Sequence, residues 1–69
     1  MPHITIQMIP GRTSDEKEEM ALGIQQFLSK TYGIDEQVIS VSIEDVPKEQ
    51  WSAVIAKIPE STMFVKPGY

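Results

Sequence analysis

MPHITIQMIPGRTSDE, residues 1–16, carries the reading on which the fold turns. Ile4, Ile6 and Met8 alternate with His3, Thr5 and Gln7, the period-two pattern of a half-buried strand, and Pro10-Gly11 supplies turn residues that close it. This predicts a first strand over about Pro2 to Ile9. Thr13 followed three residues later by Glu16 makes a capping box, and Asp15, Glu16, Glu18 and Glu19 put negative charge at the positive end of a helix dipole. A helix is therefore expected to start within a few residues of the strand's end.

Along that helix Met20, Ile24, Phe27, Leu28 and Thr31 fall on one face, with Met20 and Phe27 expected in the core. Glu18, Glu19, Gln25, Gln26 and Lys30 occupy much of the remainder, and Gly33 is the expected C-cap. After a loop over Ile34 to Gln37, Ile39, Val41 and Ile43 alternate with Ser40 and Ser42 as a second strand, across a crossover of βαβ length. The two strands should be parallel and the connection right-handed. Pro47 suits the first turn of a short second helix on which Trp51, Ile55 and Ile58 share a face until Pro59 stops it. Thr62 to Val65 reads as a short extended piece before a Pro67-Gly68 turn. The expectation is an α+β chain, one domain over residues 1–69, with a β-α-β core, two parallel strands, a short second helix and a C-terminal extension.

Composition limits what such a chain can do. A domain of 69 residues buries only roughly 60% of its unfolded surface, so added support is expected. There are no cysteines, which removes disulfides, thiolate nucleophiles and cysteine-rich zinc sites and fits a cytoplasmic location. One histidine, His3, excludes a multi-histidine metal site within the chain, and the acidic cluster reads as a dipole-complementing first helical turn, so no metal or cofactor is expected. Six scattered basic residues and a net charge of -4 oppose nucleic acid and anionic membranes as partners. No apolar run approaches a membrane span, and no secretory signal pattern opens the chain. One helix covers only one face of a two-stranded sheet, leaving the other face and the edges open, so the sheet is expected to be completed by subunit pairing in a symmetric homo-oligomer.

Pro2 is the first candidate for chemistry. Removal of Met1 would leave a prolyl secondary amine, and an α-amino group titrates near ~7.7 to 8.0, lower when buried or beside a cation. The plain alternative is that proline merely tolerates the exposed end of a strand. Arg12 is the second. A guanidinium beside the amine favours its neutral form and can grip a carboxylate bidentately, although a solvated arginine ahead of a helix has the same sequence. Strand rise puts the two roughly 25 Å apart within one chain, so a neighbouring subunit would have to bring Arg12 to Pro2. Trp51 suits a core position or the wall of a substrate site. His3 reads as a polar residue on the outer strand face before it reads as an acid/base partner.

Pro2 at the head of a strand, Gly11-Arg12-Thr13 before an acidic helix start, and Val41-Ser42-Ile43-Glu44-Asp45-Val46-Pro47 leading to Trp51 together resemble the 4-oxalocrotonate tautomerase family. The likeness covers most of the chain. Glu49-Gln50-Trp51 and the ending Lys66-Pro67-Gly68-Tyr69 are similar to the short bacterial branch that tautomerises phenylpyruvate. The resemblance implies a β-α-β fold whose subunits pair into a four-stranded sheet, some members being dimers and others trimers of dimers. A dimer is favoured here, with a hexamer as the alternative. It also implies that Pro2 is the general base and then the general acid, moving a proton in an enol or keto 2-oxo acid, with Arg12 on the carboxylate and Trp51 as an aromatic wall.

One departure bears on substrate. Where well-studied members carry a second arginine on strand two, this chain has Ser40, whose neutral hydrogen bond is weaker than a charge-assisted one. A monocarboxylate, aryl or alkyl 2-oxo acid fits that arrangement better than a dicarboxylate dienol. Two other readings stay open: dehalogenase or decarboxylase chemistry on the same scaffold, using Glu44, Asp45 or Glu49 to activate water, and a non-catalytic oligomeric binding module in which Pro2 caps a strand. Retention of Met1 would favour the second, because an acylated proline nitrogen is an amide.

Overall fold

The computed structural model describes residues 1–68; Tyr69, the last residue of the C-terminal likeness, lies outside them. Strand β1 (His3–Met8) leads through Pro10–Thr13 into helix α1 (Ser14–Tyr32), and a 3-10 turn (Glu36–Val38) then delivers the chain to strand β2 (Ser40–Asp45). A second 3-10 turn (Lys48–Gln50) runs directly into the short helix α2 (Trp51–Ala56), and a third (Glu60–Thr62) follows Pro59. The two strands are parallel, paired His3 with Ser40 through Met8 with Asp45. The pairing extends beyond the strands at both ends: Ser40 N–H donates to the Pro2 carbonyl at 3.2 Å and Val46 N–H to the Met8 carbonyl at 2.8 Å. The expected β-α-β core is thus present, with the second strand running two residues past Ile43.

The helix ends as its sequence requires. Thr13 is the N-cap: its hydroxyl accepts from Glu16 N–H at 3.1 Å, while Thr13 N–H donates to the Glu16 carboxylate at 3.0 Å, satisfying two otherwise orphaned donors. At the other end Gly33 takes φ 68°, a left-handed conformation in which a side chain would be strained, and its N–H closes onto the Ser29 carbonyl at 2.9 Å.

Alternation decides the faces of the sheet. Ile4, Ile6 and Met8 on β1 and Val41 and Ile43 on β2 are half-buried, whereas His3, Thr5, Gln7, Ser40, Ser42 and Glu44 form the opposite, polar face. Helix α1 covers the apolar side through half-buried Lys17, Met20, Ala21, Ile24, Gln25 and Leu28. This stripe lies about 45° round the helix from the one expected, and the difference removes two residues from the core. Phe27 is 59% exposed, in edge-to-face contact with Tyr32 (ring centroids 6.3 Å apart, 77° between planes), and Thr31 is also exposed. Periodicity located the apolar side of the helix but not its bearing on the sheet, a tertiary quantity; in the observed bearing Lys17 Nζ donates to Asp45 at 2.7 Å.

The C-terminal extension differs from expectation as well. Thr62 lies in a 3-10 turn and not in an extended piece: its N–H and hydroxyl both donate to the Pro59 carbonyl, at 3.0 and 2.9 Å. Phe64 and Val65 form a bend, and the expected Pro67-Gly68 turn would close on Tyr69, outside the described residues. An isolated extended segment has no strand to pair with, whereas the turn satisfies its own backbone and is closed by Lys66 on Glu60 at 2.8 Å. Phe64 and Val65 are left 93% and 88% exposed.

The core is thin. Ile39 and Val46, which bracket β2, are the buried apolar side chains among the described residues, at 6% and 3% exposure. The radius of gyration is 13.6 Å, against about 11 Å for a compact domain of this length, and the molecule is a slab of 36 × 31 × 19 Å. Among the described residues no helix is long and apolar enough to cross a membrane. Stability should be sensitive to the two helix caps: Thr13→Ala and Gly33→Ala are each expected to cost about 1 kcal/mol, read as a lower urea midpoint at fixed protein concentration with an unchanged slope.

Candidate functional site

Parallel pairing sorts the candidate residues to opposite ends of the sheet. Pro2, His3 and Ser40 sit at its N-terminal end; Arg12 follows the C-terminal end of β1, and the chain reaches Trp51 from the C-terminal end of β2. Six residues of β1, roughly 20 Å of strand, separate the two groups. Pro2 and Arg12 are therefore not brought together within one chain.

At the N-terminal end Pro2 is half-buried, its carbonyl held by Ser40 N–H, while Met1 is fully exposed and makes the Pro2 nitrogen an amide. The Ser40 hydroxyl is already engaged: His3 Nδ1 shares a hydrogen bond with Ser40 Oγ at 2.6 Å, and His3 Nε2 with Ser42 Oγ at 3.0 Å. Ser42 continues the chain to the Thr5 hydroxyl at 3.3 Å, and Gln7 Nε2 donates to Glu44 at 3.2 Å. The imidazole tautomer decides which partner donates in each His–Ser pair. His3 is thus an outer-face residue, as its place in the strand predicts, and the bridge to Ser40 follows from the His3–Ser40 register, which the sequence does not specify.

At the C-terminal end Arg12 stands on the turn before α1 and lines an open cavity of about 390 Å³ with Met8, Glu16, Glu19 and Met20. Arg12 Nη1 donates to Glu16 Oε2 at 3.3 Å. The other oxygen, Oε1, accepts from Thr13 N–H at 3.0 Å and from the Thr13 hydroxyl at 3.3 Å. The Thr13 N–H bond is the chief reason that the Glu16 carboxyl lies below its ordinary pKa; slight desolvation opposes it, and the Arg12 and Thr13 side chains with the Arg12 charge reinforce it. Sequence reading missed this contact, although the i, i+4 spacing of Arg12 and Glu16 was its signal. Trp51 opens α2, is half-buried, and does not line the Arg12 cavity. Among the described residues no three His, Asp or Glu side chains gather where they could hold a metal ion.

The chain is a small β-α-β unit with an open two-stranded parallel sheet, Pro2 lying ahead of its first strand and Arg12 after it. Residues 2–57 match the family model described as "Tautomerase enzyme", so the chain belongs to the tautomerase family and is an isomerase. Among its relatives, a probable tautomerase of Xylella fastidiosa (strain 9a5c) is 29% identical over all of this chain and 89% of its own length. Tautomerase PptA of Klebsiella pneumoniae (strain 342) is 32% identical, over 100% and 97% of the two chains. The 2-hydroxymuconate tautomerase of Bacillus subtilis (strain 168) is 31% identical over 75% of this chain and 84% of that protein.

The depressed Glu16 pKa has a defined sign. Its contribution to stability is fully present above the unfolded-state value and is lost as pH falls through the lower folded value. A carbon-detected NMR titration of the Glu16 carboxyl should place its midpoint below the ordinary glutamate value of 4.5, and a midpoint above that value would contradict the clamped geometry.

Proposed function

We propose that the chain is a cytoplasmic keto-enol tautomerase of 2-oxo acids in which Pro2, freed by removal of Met1, is the general base and then the general acid. The position of Pro2 carries this reading: it heads β1 with its carbonyl tied to Ser40 N–H, so the nitrogen is the end of the residue left to act. A base works best near the operating pH, and a partly desolvated α-amine beside a guanidinium is drawn toward neutrality and hence readiness. Arg12 holds the substrate carboxylate bidentately, Trp51 walls the site, and Ser40 supplies a neutral contact where relatives of the dicarboxylate type would use a cation. A monocarboxylate such as phenylpyruvate in its enol form is the favoured substrate, in line with the likeness to the phenylpyruvate branch.

The site is incomplete in one chain, and a homodimer completes it. A twofold axis perpendicular to the sheet runs the strands of two copies antiparallel while keeping both helices on one side, so the N-terminal end of one sheet meets the C-terminal end of the other. Pro2 of one subunit then faces Arg12 of its partner. The open sheet, the thin core and the large radius of gyration all support such pairing, and a hexamer would be built from the same dimer. Of the three carboxylates that water-activating chemistry could use, Glu44 is bonded to Gln7 and Asp45 to Lys17, which leaves that reading to Glu49.

Subunit complementation tests base and dimer together, with ketonisation of enol phenylpyruvate followed by ultraviolet absorbance. Pro2→Ala should lower kcat/KM about a hundredfold or more, and a form retaining Met1 should be inactive. Arg12→Gln should mainly raise KM. Co-refolding equal amounts of the Pro2→Ala and Arg12→Gln chains should restore about a quarter of the native activity at low substrate, since half the dimers are hybrids with one intact site each. No recovery, with hybrids demonstrated by native mass spectrometry, would refute the shared site.

A further inference from the structure

Glu16 joins two tasks that the sequence assigns to different residues. Its Oε1 is fixed by the N–H and hydroxyl of Thr13, so the carboxylate belongs to the helix cap and cannot swing away without undoing it. Its Oε2 accepts from Arg12 Nη1. A guanidinium offers five donors, and Glu16 occupies one terminal nitrogen, leaving the opposite edge for one incoming carboxylate. Glu19 lines the same cavity, so one cation there stands among two carboxylates, while Met8 and Met20 supply apolar wall.

We propose that Glu16 is a specificity-determining residue: by holding one edge of Arg12 with a cap-locked negative charge, it confines the site to substrates with a single carboxylate and an apolar body and disfavours dianionic 2-oxo acids. This inference rests on the reading of Arg12 as the carboxylate-binding residue. Of the groups this chain contributes, a second substrate carboxylate would find no other cation lining the cavity and would meet the field of Glu16 and Glu19, whereas a monoanion places its one charge on the open guanidinium edge and its hydrocarbon against the methionines.

The test uses binding, so it does not depend on turnover. The full-length protein, Glu16→Gln and Arg12→Gln are titrated with 3-phenylpropanoate as the monoanion and adipate as the dianion, following the Arg12 Nε–H resonance, or backbone amides of residues 8–20 in the Arg12 variant. Glutamine retains the acceptor for Thr13 N–H but removes the charge, and an unchanged circular dichroism spectrum verifies that the helix persists. The native protein should prefer 3-phenylpropanoate. Glu16→Gln should tighten adipate about tenfold and 3-phenylpropanoate only about twofold to threefold, an advantage that shrinks as salt rises. Arg12→Gln should weaken both. If Arg12→Gln weakens both while Glu16→Gln leaves their ratio unchanged, the Glu16 proposal is overturned and the Arg12 reading stands. If native protein binds neither acid, or Arg12→Gln binds both as the native protein does, the Arg12 reading itself fails.

Discussion

The parallel register of β1 on β2 is the constraint from which the rest of this molecule follows. It is pinned at both ends, by Ser40 N–H on the Pro2 carbonyl and by Val46 N–H on the Met8 carbonyl, and buried Ile39 and Val46 flank β2 at those same points. Parallel strands need a long crossover, which α1 provides, and one crossover helix covers only one face. Everything unfinished about the monomer descends from that choice: two unpaired sheet edges, an uncovered polar face, and a core too thin for a compact domain of this size. A lone two-stranded sheet is marginal in water, and the open edges here support the proposed pairing of subunits.

The same register explains why chemistry is distributed as it is. Strands that run together carry their beginnings to one end and their ends to the other, which places Pro2, His3 and Ser40 opposite Arg12. Side-chain length cannot bridge roughly 20 Å, but an antiparallel copy can, because inverting the strand direction exchanges the two ends. Oligomerisation in this reading is thus a consequence of strand polarity as much as of exposed apolar area. It also explains why so short a chain, with six basic residues and one histidine, need not carry a complete set of catalytic groups in one place.

Local patterns were legible wherever the physics is local. Alternation in residues 3–8, the Thr13–Glu16 capping box and the left-handed Gly33 each fix their element within a few residues of sequence, and each is present. Phe27 and Thr31 lie outside the covered stripe because periodicity gives the apolar side of a helix without its rotation on the sheet, a tertiary quantity. The tail was misread because β propensity at Phe64 and Val65 has no meaning without a partner strand, and the Pro59 carbonyl offered Thr62 a better bond. In the candidate site, the place of Pro2 ahead of β1 and of Arg12 between β1 and α1 was legible from the sequence, whereas their roles belong to the proposed function. The pairing of Ser40 with His3 was not, since it depends on a register that spans 37 residues.

At the Arg12 end of the sheet, helix capping and the proposed recognition of substrate share atoms. A larger enzyme can dedicate one carboxylate to a helix cap and another to tuning its binding arginine. Here one residue, Glu16, caps the helix with one oxygen and bonds Arg12 with the other, so under the proposal it would serve both, and the helix it caps is the element that covers the apolar face of the sheet. Removing the side chain would weaken α1 and release Arg12 together, so a loss of function after Glu16→Ala would not distinguish the two causes. The amide replacement separates them because the cap requires an acceptor oxygen whereas the influence on Arg12 requires a charge. The residue is therefore constrained by the backbone of the helix it starts and, under the proposal, by the carboxylate that Arg12 would hold.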